Sequence, residues 1–178
     1  MHPSTIVCVW LGLTAFSSAR AEETQTRAAA MERFERWVGT WKGTGWTMNE
    51  AGRRIAFDLE ERVALKAGGT ALLLEGKGVR NDDDGRRQVV HDGLSIVHFD
   101  PKSGKHRWDG HEFNRDPIHA ELKPIRGGFQ WEFDAEGRGA VVRFTVELTP
   151  QSWREIGEVS VDGKTWNRFM EMTLTKTN

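Results

Sequence analysis

The chain of 178 residues contains no tyrosine and a single cysteine. That residue, Cys8, lies in a short apolar run near the N-terminus and follows Val7, which does not fit a lipidation motif. The rest of the chain cannot form a disulfide, so its stability must come from packing alone. The sequence also lacks a Gly-x-Ser-x-Gly motif and a glycine-rich loop ahead of a helix, which argues against a serine hydrolase and a phosphate-binding loop.

Neither sign of charge dominates the sequence, and no apolar run has the length of a membrane span. Lys and Arg number 25 and Asp and Glu number 26, so the formal net charge is −1. There is therefore no basic field for a nucleic-acid backbone. The run Ile6–Phe16 is shorter than the roughly 20 residues that cross a bilayer as a helix. We expect no nucleic-acid partner, and no membrane span once this run is removed.

The N-terminus has the pattern of a secretory signal. Ile6–Phe16 is followed by the triplet Ala19-Arg20-Ala21, which is typical of cleavage after Ala21. No Lys or Arg precedes the apolar run, so an uncleaved N-terminal anchor stays open as an alternative. We predict a signal peptide over residues 1–21, a single domain over residues 22–178, and a secreted or periplasmic location.

After this segment, the pattern predicts one short helix followed by strands and turns. Met31, Phe34 and Trp37 form an apolar stripe on a helix predicted over Arg27–Val38. About ten segments then alternate apolar and polar residues, and turn signals such as Asp162-Gly163 separate them. The predicted strands are Thr40–Met48, Arg54–Lys66, Ala71–Arg80, Gln88–Phe99, Lys105–Phe113, His119–Ile125, Gly128–Phe133, Gly139–Leu148, Trp153–Val161 and Trp166–Thr175. We predict an all-β fold, an antiparallel up-and-down barrel.

The first predicted strand combines glycines and a tryptophan on one face. Alternate residues of a strand share a face, so Trp41, Gly43 and Gly45 lie together, while Lys42 indicates that the opposite face meets water. Repeated glycine in a strand usually marks a bend or the close approach of another group. We therefore predict that this face points into the barrel and leaves room for a ligand.

Three ionisable side chains are predicted on inward, otherwise apolar faces: Glu61, Glu155 and Arg168. Isolated buried charges are costly, so such groups are normally paired. Glu155 and Arg168 lie on adjacent strands across the Asp162-Gly163 turn. They form either a structural ion pair near one rim or a polar anchor for a ligand head group.

The two strands that flank the Asp100–Gly104 turn carry most of the histidines. One face of this hairpin holds His91, Trp108 and Glu112, and the other holds His111. A slip of one residue in register would exchange the faces. We predict that the His91 face is luminal, because it repeats the combination of glycine and tryptophan found on the first strand.

The histidines do not have the spacing of a metal site, and no metal is predicted. Acid–base chemistry without a cofactor is the stronger enzymatic hypothesis. Burial of Glu61 in an apolar wall would raise its pKa, as a general acid or base needs. His91 or His111 would complete a proton shuttle for an isomerase, cyclase or lyase. Whether the chain is an enzyme stays open.

Several stretches, in order, resemble the bacterial lipocalin-like barrel family of unknown function. They are GTWKGTGW (Gly39–Trp46), ALLLEGKG (Ala71–Gly78), HDGLSIVHFDPKSGK (His91–Lys105) and SVDGKTWNRFMEMTL (Ser160–Leu174). The resemblance implies a lipocalin-like barrel, similar in fold to nitrobindin, which binds haem through a late histidine. The last histidine here is His119, so no cofactor is predicted; haem remains an alternative only through His91 or His111.

Together these features predict a barrel that binds a small, largely apolar and aromatic molecule. The predicted wall residues are Trp41, Gly43, Gly45, Phe57, Trp108, Trp131 and Trp166, with Glu61, His91, Glu155 and Arg168 as polar anchors. Aromatic side chains also simply fill the interior of barrels of this size. A different hypothesis is a module that binds another envelope protein through its rim, where the segment 81–87 forms a long polar loop.

Overall fold

A computed structural model describes the backbone of residues 11–135 and 139–177, with side chains from residue 20 onward in those ranges. Helix α1 spans Leu11–Met31 and a 3₁₀ segment spans Glu32–Trp37. The strands are β1 (Gly39–Met48), β2 (Arg54–Lys66), β3 (Ala71–Asn81), β4 (Arg87–Asp100), β5 (Lys105–Glu112), β6 (Arg115–Ile125), β7 (Gly128–Ala135), β8 (Ala140–Leu148), β9 (Ser152–Ser160) and β10 (Asn167–Lys176). A second 3₁₀ turn, Ala67–Gly69, joins β2 to β3.

The ten strands form one closed antiparallel barrel, as the sequence predicts. Each strand pairs with the next along the chain, and β1 pairs with β10 from Trp41 opposite Lys176 to Thr47 opposite Met170. Closure leaves no exposed sheet edge, which is how a barrel avoids edge-to-edge association. The predicted strand positions are confirmed, with small differences at the ends, and the sheet sorts side chains into an inner and an outer face.

The N-terminal segment closes one end of the barrel with a different geometry from the predicted helix. The predicted helix over Arg27–Val38 is wrong in its bounds, because α1 ends at Met31 and a 3₁₀ segment follows. With three residues per 3₁₀ turn, Met31, Phe34 and Trp37 fall on one side, and all three are fully buried. Val38 is extended instead and leads into β1.

These side chains form a plug, which we define as Met31, Phe34 and Trp37. The Phe34 ring stacks on Phe129 with 4.6 Å between centroids, and Trp37 packs edge-on against Trp153 at 5.1 Å. Hydrogen bonds fix the plug in place. His106 Nε2 donates to the Ala30 carbonyl at 3.0 Å, and Trp41 Nε1 donates to the Trp37 carbonyl at 2.8 Å.

A bulge in β10 changes which side chains of this strand face the lumen. The pairing with β9 shifts between Arg168 and Met170, so the alternation predicted for the whole strand breaks there. Trp166 and Arg168 consequently lie on the outer face, and their predicted luminal positions are wrong. Arg168 Nη1 pairs with Glu171 Oε2 at 2.8 Å rather than with Glu155.

The outer position of Trp166 is stabilised by a cation–π contact. The guanidinium of Arg143 lies over its indole ring, 3.7 Å from the centroid. Phe169, the residue at the bulge, points into the lumen in place of the two predicted side chains, and its ring meets Phe144 edge-on at 5.8 Å.

The glycines of β1 serve strand packing, so the prediction that they leave room for a ligand is wrong. A Cβ atom at Gly43 would overlap the Thr173 carbonyl of β10. One at Gly45 would lie 2.7 Å from the end of the Phe57 ring and 2.8 Å from Met172 Cβ. The space above Gly45 is therefore filled by the protein's own side chains, and the backbones of β1 and β10 approach closely.

Within the described part of the chain, none of the helices combines the length and apolar character needed to cross a membrane.

Candidate functional site

A cavity of about 200 Å³ remains inside the barrel. Its walls come from nearly every strand, and Arg115 and Asp116 lie where it borders the rim. The plug residues do not line it, so the cavity occupies the part of the lumen away from the closed end. An internal space of this kind is the usual location of a small-molecule site in a barrel.

One side of the cavity is an aromatic wall, which we define as Trp108, Trp131, Phe144 and Phe169. Trp108 and Trp131 stack with 4.3 Å between ring centroids, and Trp131 stacks on Phe144 at 5.3 Å. These rings share a continuous surface because β5, β7 and β8 each place them on the inner face. The surface offers polarisable, apolar contact to a ring.

The cavity also has a set of polar side chains, the polar wall, which we define as Glu61, His91, Glu112 and Glu155. Glu61 comes from β2 and Glu155 from β9, and each is only 7% exposed. Trp153 Nε1 donates a hydrogen bond to Glu155 Oε2 at 3.2 Å. In the described part of the chain, no protein group donates a hydrogen bond to the Glu61 carboxyl, and its nearest polar partner is His91.

Burial changes the protonation of both carboxyls. It raises the pKa of Glu61 to about 7, against a smaller opposing effect of His91. Burial also raises the pKa of Glu155 to about 8, and the nearby charge of Glu61 adds to this. The two groups therefore hold or release protons near neutral pH, which ordinary surface carboxyls do not do.

His91 links the polar wall into a chain of charged groups. Its Nδ1 donates to Glu112 Oε1 at 3.0 Å, and its Nε2 lies 3.8 Å from Glu61 Oε1. Burial alone would lower the pKa of His91, but the hydrogen bond to Glu112 and the surrounding carboxylates raise it. Burial would raise the pKa of Glu112, but His91 and the Arg115 guanidinium, 3.2 Å away, lower it. The result is an ion pair beside two carboxyls that can be neutral.

Glycines on β3 and β4 make space for this polar wall. Gly76 lies opposite Gly93 in the sheet, and Gly78 lies opposite His91. A Cβ at Gly76 would overlap the Glu61 carboxyl and would lie 2.7 Å from His91 Nε2. A Cβ at Gly93 would lie 3.0 Å from His91 Cε1. These glycines, rather than those of β1, let the imidazole lie flat against the sheet and approach Glu61.

The structure separates the predicted site residues into four groups. Those that line the cavity are Phe57, Glu61, His91, Trp108, Trp131 and Glu155, with His111 at its rim. Trp41 points inward but lies below the cavity, packed against Trp153 at 6.0 Å. Gly43 and Gly45 are covered by atoms of the neighbouring strands. Trp166 and Arg168 lie on the outer face of the barrel.

The predicted luminal face of the histidine hairpin is confirmed, and this places the two candidate histidines differently. His91 points inward beside Glu61, whereas His111 is opposite Leu94 on the outer face and is exposed at the rim. Sequence reasoning missed the role of Glu112 as the partner of His91. Its position on the luminal face was the available signal, but only the barrel shows that it reaches the imidazole.

No group of three or more His, Cys, Asp or Glu side chains in the described ranges has a geometry suited to a metal ion. His106, the other inward histidine, is 7% exposed, and its Nε2 is engaged by the Ala30 carbonyl. Its ring also packs edge-on against Phe34 at 5.1 Å. His106 therefore holds the plug and does not reach the cavity.

Solved structures show the same kind of barrel. Rv2717c from M. tuberculosis superposes with a TM-score of 0.61 at 10% identity, covering 84% of this chain and 98% of that one. The S-type phycobiliprotein lyase CPES from Guillardia theta superposes with a TM-score of 0.56 at 11% identity, covering 87% and 97%. No protein-family model and no curated protein matches the sequence significantly. The fold is a lipocalin-like barrel, and at these identities the likeness concerns the fold alone.

The raised pKa values of Glu61 and Glu155 predict that the protein loses stability as the pH rises. Between about pH 4.5 and 8 the folded chain holds protons that the unfolded chain has released, so the free energy of unfolding falls through this window. The contribution is on the order of 3 kcal/mol for Glu61 and 5 kcal/mol for Glu155 when each is fully titrated. Urea unfolding at a series of pH values measures the slope, and Glu155→Gln should flatten it.

Glu147→Gln is the matched control for this experiment, because Glu147 lies on the outer face and is 55% exposed. It should leave the slope as it is in the unmodified protein. A Glu155→Gln variant whose stability depends on pH in the same way as the unmodified protein would contradict the assignment of a proton to Glu155.

Proposed function

We propose that this barrel is exported and binds a small, largely apolar, aromatic molecule in its lumen. The observation that carries the proposal is the cavity itself, which is lined by both the aromatic wall and the polar wall. An engineered protein cavity of about 150 Å³ holds a benzene molecule, so the 200 Å³ found here suits one ring with a short substituent. The aromatic wall supplies contact area, and the polar wall fixes orientation.

Filling the cavity tests this proposal. Ile118 lines the cavity from β6, so Ile118→Trp places a larger side chain where the ligand would lie. We expect it to weaken binding of benzyl alcohol and benzylamine, used as single-ring probes, by at least about tenfold. Isothermal titration calorimetry measures both. The matched control is Ile125→Trp on the same strand, where the side chain is exposed, and it should leave the affinity unchanged.

Binding that survives Ile118→Trp would show that the probes use the outer surface and would contradict a luminal site. Absence of binding of either probe to the unmodified protein would contradict the proposed function itself.

The contact chain from Glu112 through His91 to Glu61 favours a second candidate, cofactor-free acid–base catalysis. Because Glu112 accepts from Nδ1, the Nε2 atom is the one that His91 directs towards Glu61 and the cavity. A group with a pKa near the working pH is suited to transfer a proton in either direction. One of the two proteins of similar fold is named a lyase, so an enzyme occurs among barrels of this shape.

Proton abstraction from 5-nitrobenzisoxazole tests the second candidate with a substrate of suitable size. We expect a rate that rises with pH through about 7, as the Glu61 carboxyl ionises. Glu61→Gln should lower this rate about a hundredfold, and Ile118→Trp should lower it by excluding the substrate. If the unmodified protein is no faster than the Ile118→Trp variant, acid–base catalysis is contradicted and binding remains the proposed function.

Export is compatible with the arrangement of the N-terminal segment. The predicted cleavage after Ala21 removes the first part of α1 and keeps Met31, Phe34 and Trp37, so the mature chain retains its plug. Residues 1–10 of the predicted signal lie outside the described residues. The intact mass of the protein recovered outside the cytoplasm should correspond to residues 22–178; the full-length mass would contradict cleavage.

A further inference from the structure

We propose that the ligand is a small organic cation, an amine on a compact aromatic or apolar body. This inference rests on the proposed function and adds the charge of the ligand. It is carried by the excess of carboxyl groups around a cavity that also has an aromatic wall. An aromatic hydrocarbon would use only the aromatic wall.

The charges that face the cavity are mainly acidic. Four carboxyl groups line it, from Glu61 on β2, Glu112 on β5, Glu155 on β9 and Asp116 on β6. The basic groups among the described lining residues are His91 on β4, Arg115 on β6 and His111 at the rim of β5.

Most of the available positive charge is already used. The Arg115 guanidinium and His91 Nδ1 both engage Glu112, so this carboxylate is paired twice. His91 Nε2 stays 3.8 Å from Glu61, beyond hydrogen-bond distance. His91 is therefore the basic group that acts on both Glu61 and Glu155, and an anionic ligand would be repelled when these carboxyls are ionised.

The hydrogen-bonding capacity of the Glu61 and Glu155 carboxyls also favours a cationic ligand. An ionised carboxyl accepts several hydrogen bonds, yet Glu155 receives one, from Trp153 Nε1, and Glu61 receives none from the described residues. An ammonium group supplies three donors and no acceptor, which matches one carboxyl without a donor and one with a single donor. An alcohol supplies one donor, and a carboxylate supplies none.

The aromatic wall can accept the rest of a cationic ligand. Trp108 and Trp131 line the cavity, but their faces stack on each other and on Trp37 and Phe144, so they supply apolar contact to the body of the ligand. The same surface packs against an aromatic ring, so one ligand can use both walls.

Proton exchange links binding to pH. Below about pH 7 the two carboxyls hold protons, which balances the acidic cavity in the absence of a ligand. A bound ammonium group favours their ionised forms, so a proton leaves when the cation enters. In this exchange Glu61 faces His91 and Glu155, and His91 in turn is paired with Glu112. The affinity for a cation should therefore rise with pH, whereas that for a neutral molecule should change little.

Three probes of one shape test the inference: benzylamine, benzyl alcohol and benzoate. Calorimetry at about pH 6 and pH 8 should show benzylamine bound at least tenfold more tightly than benzyl alcohol, with benzoate weakest. The affinity for benzylamine should rise about tenfold between pH 6 and pH 8. Titrations in two buffers of different ionisation enthalpy should show release of a proton at the lower pH.

Variants assign the preference to the polar wall. Glu61→Gln and Glu155→Gln should each lower the preference for benzylamine over benzyl alcohol about tenfold, while benzyl alcohol still binds and so reports an intact lumen. Glu147→Gln on the outer face is the matched control and should leave the preference unchanged. Should a luminal variant fail to fold, proton release and the three-probe comparison on the unmodified protein decide the question.

Two outcomes overturn the inference in different ways. Benzyl alcohol or benzoate bound as tightly as benzylamine would show that the cavity does not select for positive charge, while the proposed binding function stands. If none of the three probes binds, the proposed function fails as well.

Discussion

Closure of the sheet between β1 and β10 is the constraint on which the other features depend. Once Trp41 pairs with Lys176 and Thr47 with Met170, every strand has two neighbours and a fixed inner face. Alternate residues must then enter a lumen of limited volume, whatever their polarity. Large rings and the plug fill most of that volume. The side chains that remain, two carboxyls and an imidazole among them, surround a small cavity.

The barrel holds the polar wall inside its lumen at some cost in stability. Buried carboxyls are tolerated when they are paired or protonated, and both solutions occur here. Glu112 is paired with His91 and Arg115, whereas Glu61 and Glu155 have raised pKa values. A group that lowers stability at neutral pH in a closed lumen is more readily explained by a ligand than by the fold, because an apolar side chain would pack better there.

Much of the architecture follows from local patterns. The strand positions, the antiparallel order and the inward positions of Glu61 and Glu155 depend on alternation within single strands, which the sequence displays directly. The luminal face of His91 and Trp108 was also predicted, from the composition of that face. Prediction failed where one residue breaks the alternation. The bulge at Phe169 reverses the faces of the preceding residues at this end of β10, so Trp166 and Arg168 lie outside the barrel.

The sequence by itself determined a ten-stranded barrel with an aromatic interior and a few inward carboxyls, because alternation and turn chemistry are local properties. Only the tertiary structure decided which of these groups meet. The glycines that matter, Gly76 and Gly93, lie opposite each other on β3 and β4, and their effect on His91 and Glu61 requires the register of three strands. The distances between side chains from β2, β4 and β9 depend on the closure of the whole sheet, so they cannot be predicted from the pattern along a single strand.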